Sequence, residues 1–170
     1  PRMYLKDDSC NPTGSLKDRA SALVAAFARR EGIERIVVAS TGNAGSSMCG
    51  VGAAAGLSVR LYLPAGAPAG KLVQSLQYGA DVVRVDGTYD EASAQAMEYL
   101  RTHGGLSRNT GHNPMTIEGK KTVALEIFRQ LGSGVPDYVF VPTGDGVILS
   151  GVYKGFEDLV SLGIADRIPT

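Results

Sequence analysis

Asn11-Pro12-Thr13-Gly14-Ser15-Leu16-Lys17-Asp18-Arg19 packs a turn, a helix start and one lysine into a single short stretch. Asn-Pro and Thr-Gly punctuate a loop. Ser15 followed three residues later by Asp18 has the pattern of a capping box, so the spacing predicts a helix opening here. Ala20, Leu23, Val24, Phe27 and Ala28 then recur at helical spacing. Arg29-Arg30 suits the end of that helix, and Gly32 stops it. Lys17 falls in the first turn, where unpaired backbone N–H groups make a positive pole. An anionic ligand is favoured beside that pole and an ammonium is not, which marks Lys17 as a candidate for Schiff-base chemistry. The plainer reading, a solvated surface lysine, is not displaced by the local pattern alone.

Downstream, strand and helix alternate. Arg35 to Ala39 reads as a buried parallel strand, and a small-residue helix follows the Ser40 loop as far as Gly56. Ser58 to Leu63 is a strand stopped by Pro64, and 69–78 a helix ended by Gly79. Asp81 to Val85 is a strand and Tyr89 to His103 a helix; Leu106 to Thr110 is a short strand. A long helix is predicted over 116–131, a strand over Tyr138 to Val141, and a last helix over 148–162. Met3 to Leu5 is read as a short strand entering the lysine loop. The alternation predicts an α/β fold with parallel sheets, flanking helices and right-handed crossovers.

Composition narrows the function. The 170 residues, 44% of them hydrophobic, suffice for a full core. Seventeen basic residues balance seventeen acidic ones, and no basic stripe appears, which argues against a nucleic-acid partner. No run of apolar residues reaches membrane-spanning length, and no signal-peptide pattern opens the sequence. Two cysteines, Cys10 and Cys49, are too few for a disulfide framework, so reduced thiols and a cytoplasmic setting are expected. Cys10 lies beside the lysine motif but has no His nearby in sequence, and reads as a small loop residue. His103 and His112 form no spaced metal set with the cysteines, so no metal site is expected.

Two loops join strand ends to helix starts, where ligands of parallel sheets bind. In Ser40-Thr41-Gly42-Asn43-Ala44-Gly45 the side chains are polar and small, and exposed N–H groups would form a nest for an anion such as a carboxylate. The alternative is a simple helix cap with no ligand. The second loop, Gly144-Asp145-Gly146-Val147, could by itself bind phosphate, a nucleotide or nothing. No acidic residue follows a Gly-x-Gly-x-x-Gly pattern, which counts against a dinucleotide site.

Asn11 to Arg19 resembles the lysine segment of the fold-type II pyridoxal-phosphate (PLP) enzymes, the tryptophan synthase β-like family. The threonine synthase branch is the nearest, with Leu16 the one departure. The Ser40 to Gly45 loop, the Gly144 loop and Gly151-Val152-Tyr153-Lys154-Gly155-Phe156 match further stretches in the same order. The resemblance implies a three-layer fold, incomplete here because the family's chains are longer, so that a fragment of a larger enzyme is expected. It assigns residues 1–33 and 116–170 to a large PLP-binding domain and 34–115 to a small α/β domain. It implies that Lys17 is catalytic and holds PLP, and that Asn43 contacts the cofactor ring hydroxyl. Gly144, Asp145, Gly146 and Val147 would cradle the cofactor phosphate. Ser40, Thr41, Asn43 and Ala44 would line a substrate carboxylate site. In the family's pattern a glycine stands at Val147 and a polar residue at Ile148, so one close approach and one side-chain bond are lost. Asp145 is unfavourable to a phosphate unless it points away.

The implied activity is a lyase converting O-phospho-homoserine and water to threonine and phosphate. A threonine or serine ammonia-lyase and a β-replacement synthase share the same motifs. From a different class come a non-catalytic cofactor-binding fragment and a nucleotide-binding module. The implied partners are a small amino-acid substrate and, at full length, a second copy in a homodimer, with no membrane. Asp18 reads as a helix-start residue and Arg19 as a structural ion-pair partner. Lys120-Lys121 reads as a solvated face, or as part of a site for a phosphorylated substrate.

Overall fold

The computed structural model describes residues 2–170. They form two compact units, one of residues 8–116 and one of residues 117–170 with 2–7.

In the first unit, β1 (Arg35–Ala39), β2 (Ser58–Pro64), β3 (Asp81–Val85) and β4 (Leu106–Ser107) make one parallel sheet in the order β3-β2-β1-β4. Ile36 pairs with Val59 on one side and with Leu106 on the other. β1 alternates cleanly between two cores. Ile36 and Val38 pack with Val59, Leu61 and Leu63 against Val24, Ala25 and Ala28 of α1 (Lys17–Arg30) and Met48 and Cys49 of α2 (Asn43–Ala54). Val37 and Ala39 pack on the opposite face, with Tyr62 and Val85, against Ala92 and Ala96 of α4 (Tyr89–His103). α3 (Ala69–Gln77) adds Leu72 to the first face. Both faces of the sheet are therefore covered, giving three layers. That is why β1 reads as an unbroken apolar run, each such side chain gaining about 1.5–3 kcal/mol on burial.

The element bounds match the sequence reading closely in this unit, with two differences. β4 stops at Ser107; the Arg108 N–H still donates to Val37 O at 2.9 Å, but at Asn109 a side-chain oxygen bonds the Ala39 N–H of β1. α4 opens on a capping box that the sequence reading did not mark. The Thr88 N–H donates to Glu91 Oε2 at 2.6 Å, and the Glu91 N–H donates to Thr88 Oγ1 at 3.3 Å. Residues 8–33 cluster with the sheet and not with 117–170, because α1 buries its apolar face in the same core as α2.

The chain passes into the second unit within α5 (Met115–Glu118). The continuous helix expected over 116–131 is interrupted by a 3-10 turn, Gly119–Lys121, before α6 (Thr122–Gln130). The Thr122 hydroxyl donates to Gly119 O at 2.8 Å there. α7 (Val147–Ser161) lies directly on this turn. A Cβ at Gly151 would stand 2.6 Å from Lys120 Cβ, and one at Gly155 would stand 2.6 Å from Lys121 O. The two glycines are four residues apart and so share one helix face, which lets the backbones approach. The Lys121 ammonium then bridges Glu118 and Asp158, 2.5 Å from each. These bonds push Lys121 above its ordinary pKa and hold the Asp158 carboxyl below its own.

The strands expected at Met3–Leu5 and Tyr138–Val141 do not form. A strand needs a ladder partner. The backbone of residues 137–139 pairs with the single residue Thr170 among the described residues, through Val139 N–H to Thr170 O at 2.9 Å and Thr170 N–H to Asp137 O at 3.0 Å. Phe140 and Met3 stay almost fully exposed.

Two predictions follow from these contacts. Burial pushes the Cys49 thiol up to about 11, whereas Cys10 is exposed. Iodoacetamide at neutral pH therefore alkylates Cys10 and spares Cys49 until the protein unfolds, as peptide mass spectrometry will show. Because the Asp158 pKa is lowered, its contribution is complete above the ordinary carboxylate range and is lost as pH falls through the lowered value. Asp158→Asn should flatten the acid limb of stability against pH by under ~1 kcal/mol, the pair being partly exposed, in urea titrations at stepped pH.

Candidate active site

The turn before α1 is held by Asp18. Its carboxylate accepts the Thr13 N–H at 2.7 Å and the Thr13 hydroxyl, all three groups being buried. Asn11 Nδ2 closes the turn on Ser15 O at 3.1 Å. Arg19 grips Asp8 through two parallel bonds, Nε to Oδ2 at 2.9 Å and Nη2 to Oδ1 at 2.8 Å, as the structural ion pair expected of it. The expected Ser15–Asp18 capping box is absent. Ser15 Oγ accepts the Lys17 N–H, at 3.3 Å, while Asp18 reaches back to Thr13. The carboxylate still sits in the first turn, where the helix dipole favours it. Lys17 is the first residue of α1 and is half-buried.

α2 begins at Asn43, straight after β1 and a three-residue loop. Ser40 is buried, and its Oγ accepts the Gly42 N–H at 3.2 Å. Thr41 and Ala44 are half-buried and Asn43 is exposed. A helix start leaves its leading N–H groups without partners in the helix, so this loop can serve an anion. Gly50 lets the lysine turn lie against α2, since a Cβ there would stand 2.7 Å from Thr13 Cγ2.

The two helices meet where the Ser47 hydroxyl donates to Ser21 Oγ at 2.8 Å, both groups fully buried. Lys17 is four residues before Ser21, and Asn43 is four residues before Ser47. Each therefore lies on the contact face of its helix, one turn nearer the N-terminus. The structure thus brings the Lys17 turn and the Ser40–Ala44 loop together in one unit. Gly144, Asp145, Gly146 and Val147 belong to the other unit.

Sequence reasoning missed the residues that complete this end of the sheet. The strand order reverses between β1 and β4, and their carboxyl ends flank a topological switch point, the usual place for a ligand. Asn109 Oδ1 accepts the Ala39 N–H at 2.9 Å, and the Tyr89 hydroxyl donates to Ala39 O at 3.3 Å. Arg108 is 1% exposed beside Ser21 and Thr110. The signal was the strand-end rule itself, hidden because Leu106 to Thr110 was read as strand throughout.

The family model for pyridoxal-phosphate dependent enzymes matches residues 1–167. The chain belongs to that family. Within the PLP-dependent enzymes it is 38% identical over 168 residues to a threonine synthase of Methanocaldococcus jannaschii, covering 98% of this chain and 41% of that protein. A threonine synthase of Methanosarcina acetivorans is 37% identical over 169 residues, with 99% and 42% covered. Among solved structures, the processed form of threonine deaminase isoform 2 from Solanum lycopersicum superposes with a TM-score of 0.82 at 27% identity, covering 93% of this chain and 43% of that one. The chain therefore spans less than half the length of the curated relatives it matches.

The residues present fit the PLP cofactor. In the second unit the Gly146 backbone is left-handed, and α7 starts at Val147 with its first N–H groups leading. Space at Gly144 is open: a Cβ there would meet no atom within 4 Å. Asp145 Oδ1 accepts the Val147 N–H at 3.1 Å, so an anion already occupies one of the donors a phosphate would use. Asp145 thus turns back onto its own loop.

The Asp18 contacts predict an order of stability. Asp18→Ala strands the buried Thr13 N–H and hydroxyl and should cost about 1–3 kcal/mol, whereas Ser15→Ala should cost less than half of that. Urea denaturation of the two variants measures the difference.

Proposed function

We propose that this chain carries the lysine-bearing part of a PLP-dependent lyase of the threonine synthase type, which turns O-phospho-homoserine and water into threonine and phosphate. The observation that carries this reading is the placement of Lys17 and Asn43 one turn beyond the Ser21–Ser47 contact, at the starts of two packed helices. The curated relatives that match nearly the whole chain are named threonine synthase, which supports the substrate assignment.

PLP, when bound, supplies an electron sink that stabilises a carbanion at the substrate α-carbon. Lys17 Nζ would hold the cofactor and, once released, take the proton from that carbon. The Ser40, Thr41 and Ala44 segment would hold the substrate carboxylate through its N–H and hydroxyl groups, orienting the α-proton toward Lys17. Asn43 would hold the cofactor ring hydroxyl, and the N–H groups of Gly144 to Val147 its phosphate. The Thr13–Asp18 and Arg19–Asp8 bonds keep the lysine turn in one conformation.

A second reading is favoured by the structural likeness to threonine deaminase, namely an ammonia-lyase acting on threonine or serine. In the full-length protein, addition of PLP, borohydride reduction and peptide mapping should place the label on Lys17. Lys17→Ala should abolish turnover. Phosphate release from O-phospho-homoserine supports the first reading, and keto-acid release from threonine or serine supports the second. A label on another lysine, or full turnover by Lys17→Ala, overturns both.

A further inference from the structure

Arg108 is a buried cation that meets no carboxylate among the described residues. It is 1% exposed. Its Nε reaches Ser21 Oγ at 3.5 Å and its Nη1 reaches Thr110 Oγ1 at 3.5 Å, both at the outer limit of a hydrogen bond. Nη2 is buried with no partner at all. Burial pulls the guanidinium down to about 10, which leaves it charged at neutral pH. Against that pull, Tyr89 is the charge partner that raises it, and no carboxylate contributes. A guanidinium carries five donors in a rigid fork, and here they make two long contacts to hydroxyls. An uncompensated buried charge costs several kcal/mol, more than those contacts return. A carboxylate from the chain would be the common solution, and the described residues supply none.

The position of the unpaired group gives the charge a use. Arg108 follows β4 immediately, and its N–H donates to Val37 O at 2.9 Å, so it stands at the carboxyl ends of β1 and β4, the switch point of the sheet. Its hydroxyl partner Ser21 lies one helical turn from Lys17 and also accepts from Ser47 of α2. We propose that Arg108 is the buried half of an oxyanion site at this switch point, whose other half is an anionic ligand, of the phosphate or carboxylate class, paired with Nη2. The guanidinium fork matches either group through paired N–H donors. Thr110 Oγ1, already against Nη1, adds a hydroxyl beside the same position. Entry requires the segment from Arg108 to Asn113 to open, and that segment is tied down by Asn113 Nδ2 donating to Ser107 O at 2.7 Å. Binding of the anion and closing of this segment are therefore one equilibrium. This inference does not depend on Lys17 carrying PLP.

Thermal unfolding of the full-length protein without added PLP tests it. Inorganic phosphate and acetate are each titrated against chloride at constant ionic strength, in the wild type, Arg108→Met and Arg108→Lys. The wild type should show a saturable rise in Tm with one or both oxyanions. Phosphate and acetate tell which class of anion the site takes. Arg108→Met should weaken that response roughly tenfold or more, since a charge-assisted bond is lost. It should also be at least as stable as the wild type in chloride, because the unpaired charge has gone. Arg108→Lys keeps the charge and should keep part of the response, and it serves if the Met variant does not fold. General salting effects act equally on all three proteins. An equal rise in wild type and Arg108→Met, no rise in the wild type, or an Arg108→Lys as insensitive as Arg108→Met where both fold, each overturns the proposal.

Discussion

The contact of α1 with α2 is the constraint on which the candidate site depends. Two serines, Ser21 and Ser47, meet at the heart of it, and the flanking residues Val24, Ala25, Ala28, Met48 and Cys49 seal it against the sheet. Small residues are what this contact needs. Serine hydroxyls satisfy one another where larger polar groups would be left without partners. A helix pair held this closely fixes the direction of each N-terminus, and the chemistry we propose for Lys17 and the Ser40 loop would act at those two ends. The glycine at position 50 extends the same constraint to the turn before α1, by letting Thr13 rest on α2.

That turn shows how a helix start can be built without a conventional cap. The Asp18 carboxylate lies near the positive end of α1 and at the same time satisfies a backbone donor from five residues earlier. Arg19, next in sequence, holds Asp8 in an almost buried pair. Adjacent residues of opposite charge thus tie down both limbs of the loop, and neither is spent on solvent. The strength of such paired, partly buried bonds lies in what their removal would strand, since each replaces water around a group that water can no longer reach.

Much of this was legible in local pattern. The strands β1 and β3 and the helix α4 have the bounds their apolar runs and glycine stops indicate, because those signals are short-range. The lysine motif and the Ser40 loop announced themselves by composition. The stretch from Tyr138 to Val141 has every mark of a strand, yet hydrogen bonding in a sheet is a property of two segments, and among the described residues its backbone finds Thr170 and no second strand. The helix expected through 116–131 breaks at Gly119–Lys121, where α7 presses on the turn through Gly151 and Gly155. Asp18 looked like half of a capping box, but a carboxylate takes the best donor within reach, and folding brought it Thr13.

The sequence by itself determined the α/β alternation, the family, the candidate lysine and the loop that follows β1. These are written in spacing along the chain, which survives in one dimension. Only the tertiary structure decided that β4 joins β1 on the side away from β2, and so which strand ends flank the switch point. It alone showed Arg108 buried with no carboxylate beside it among the described residues, since burial and pairing depend on residues as far away as Ser21, 87 positions earlier in the chain. Sequence spacing carries no information about which distant group will fill such a neighbourhood, because that choice is made by the packing of whole elements.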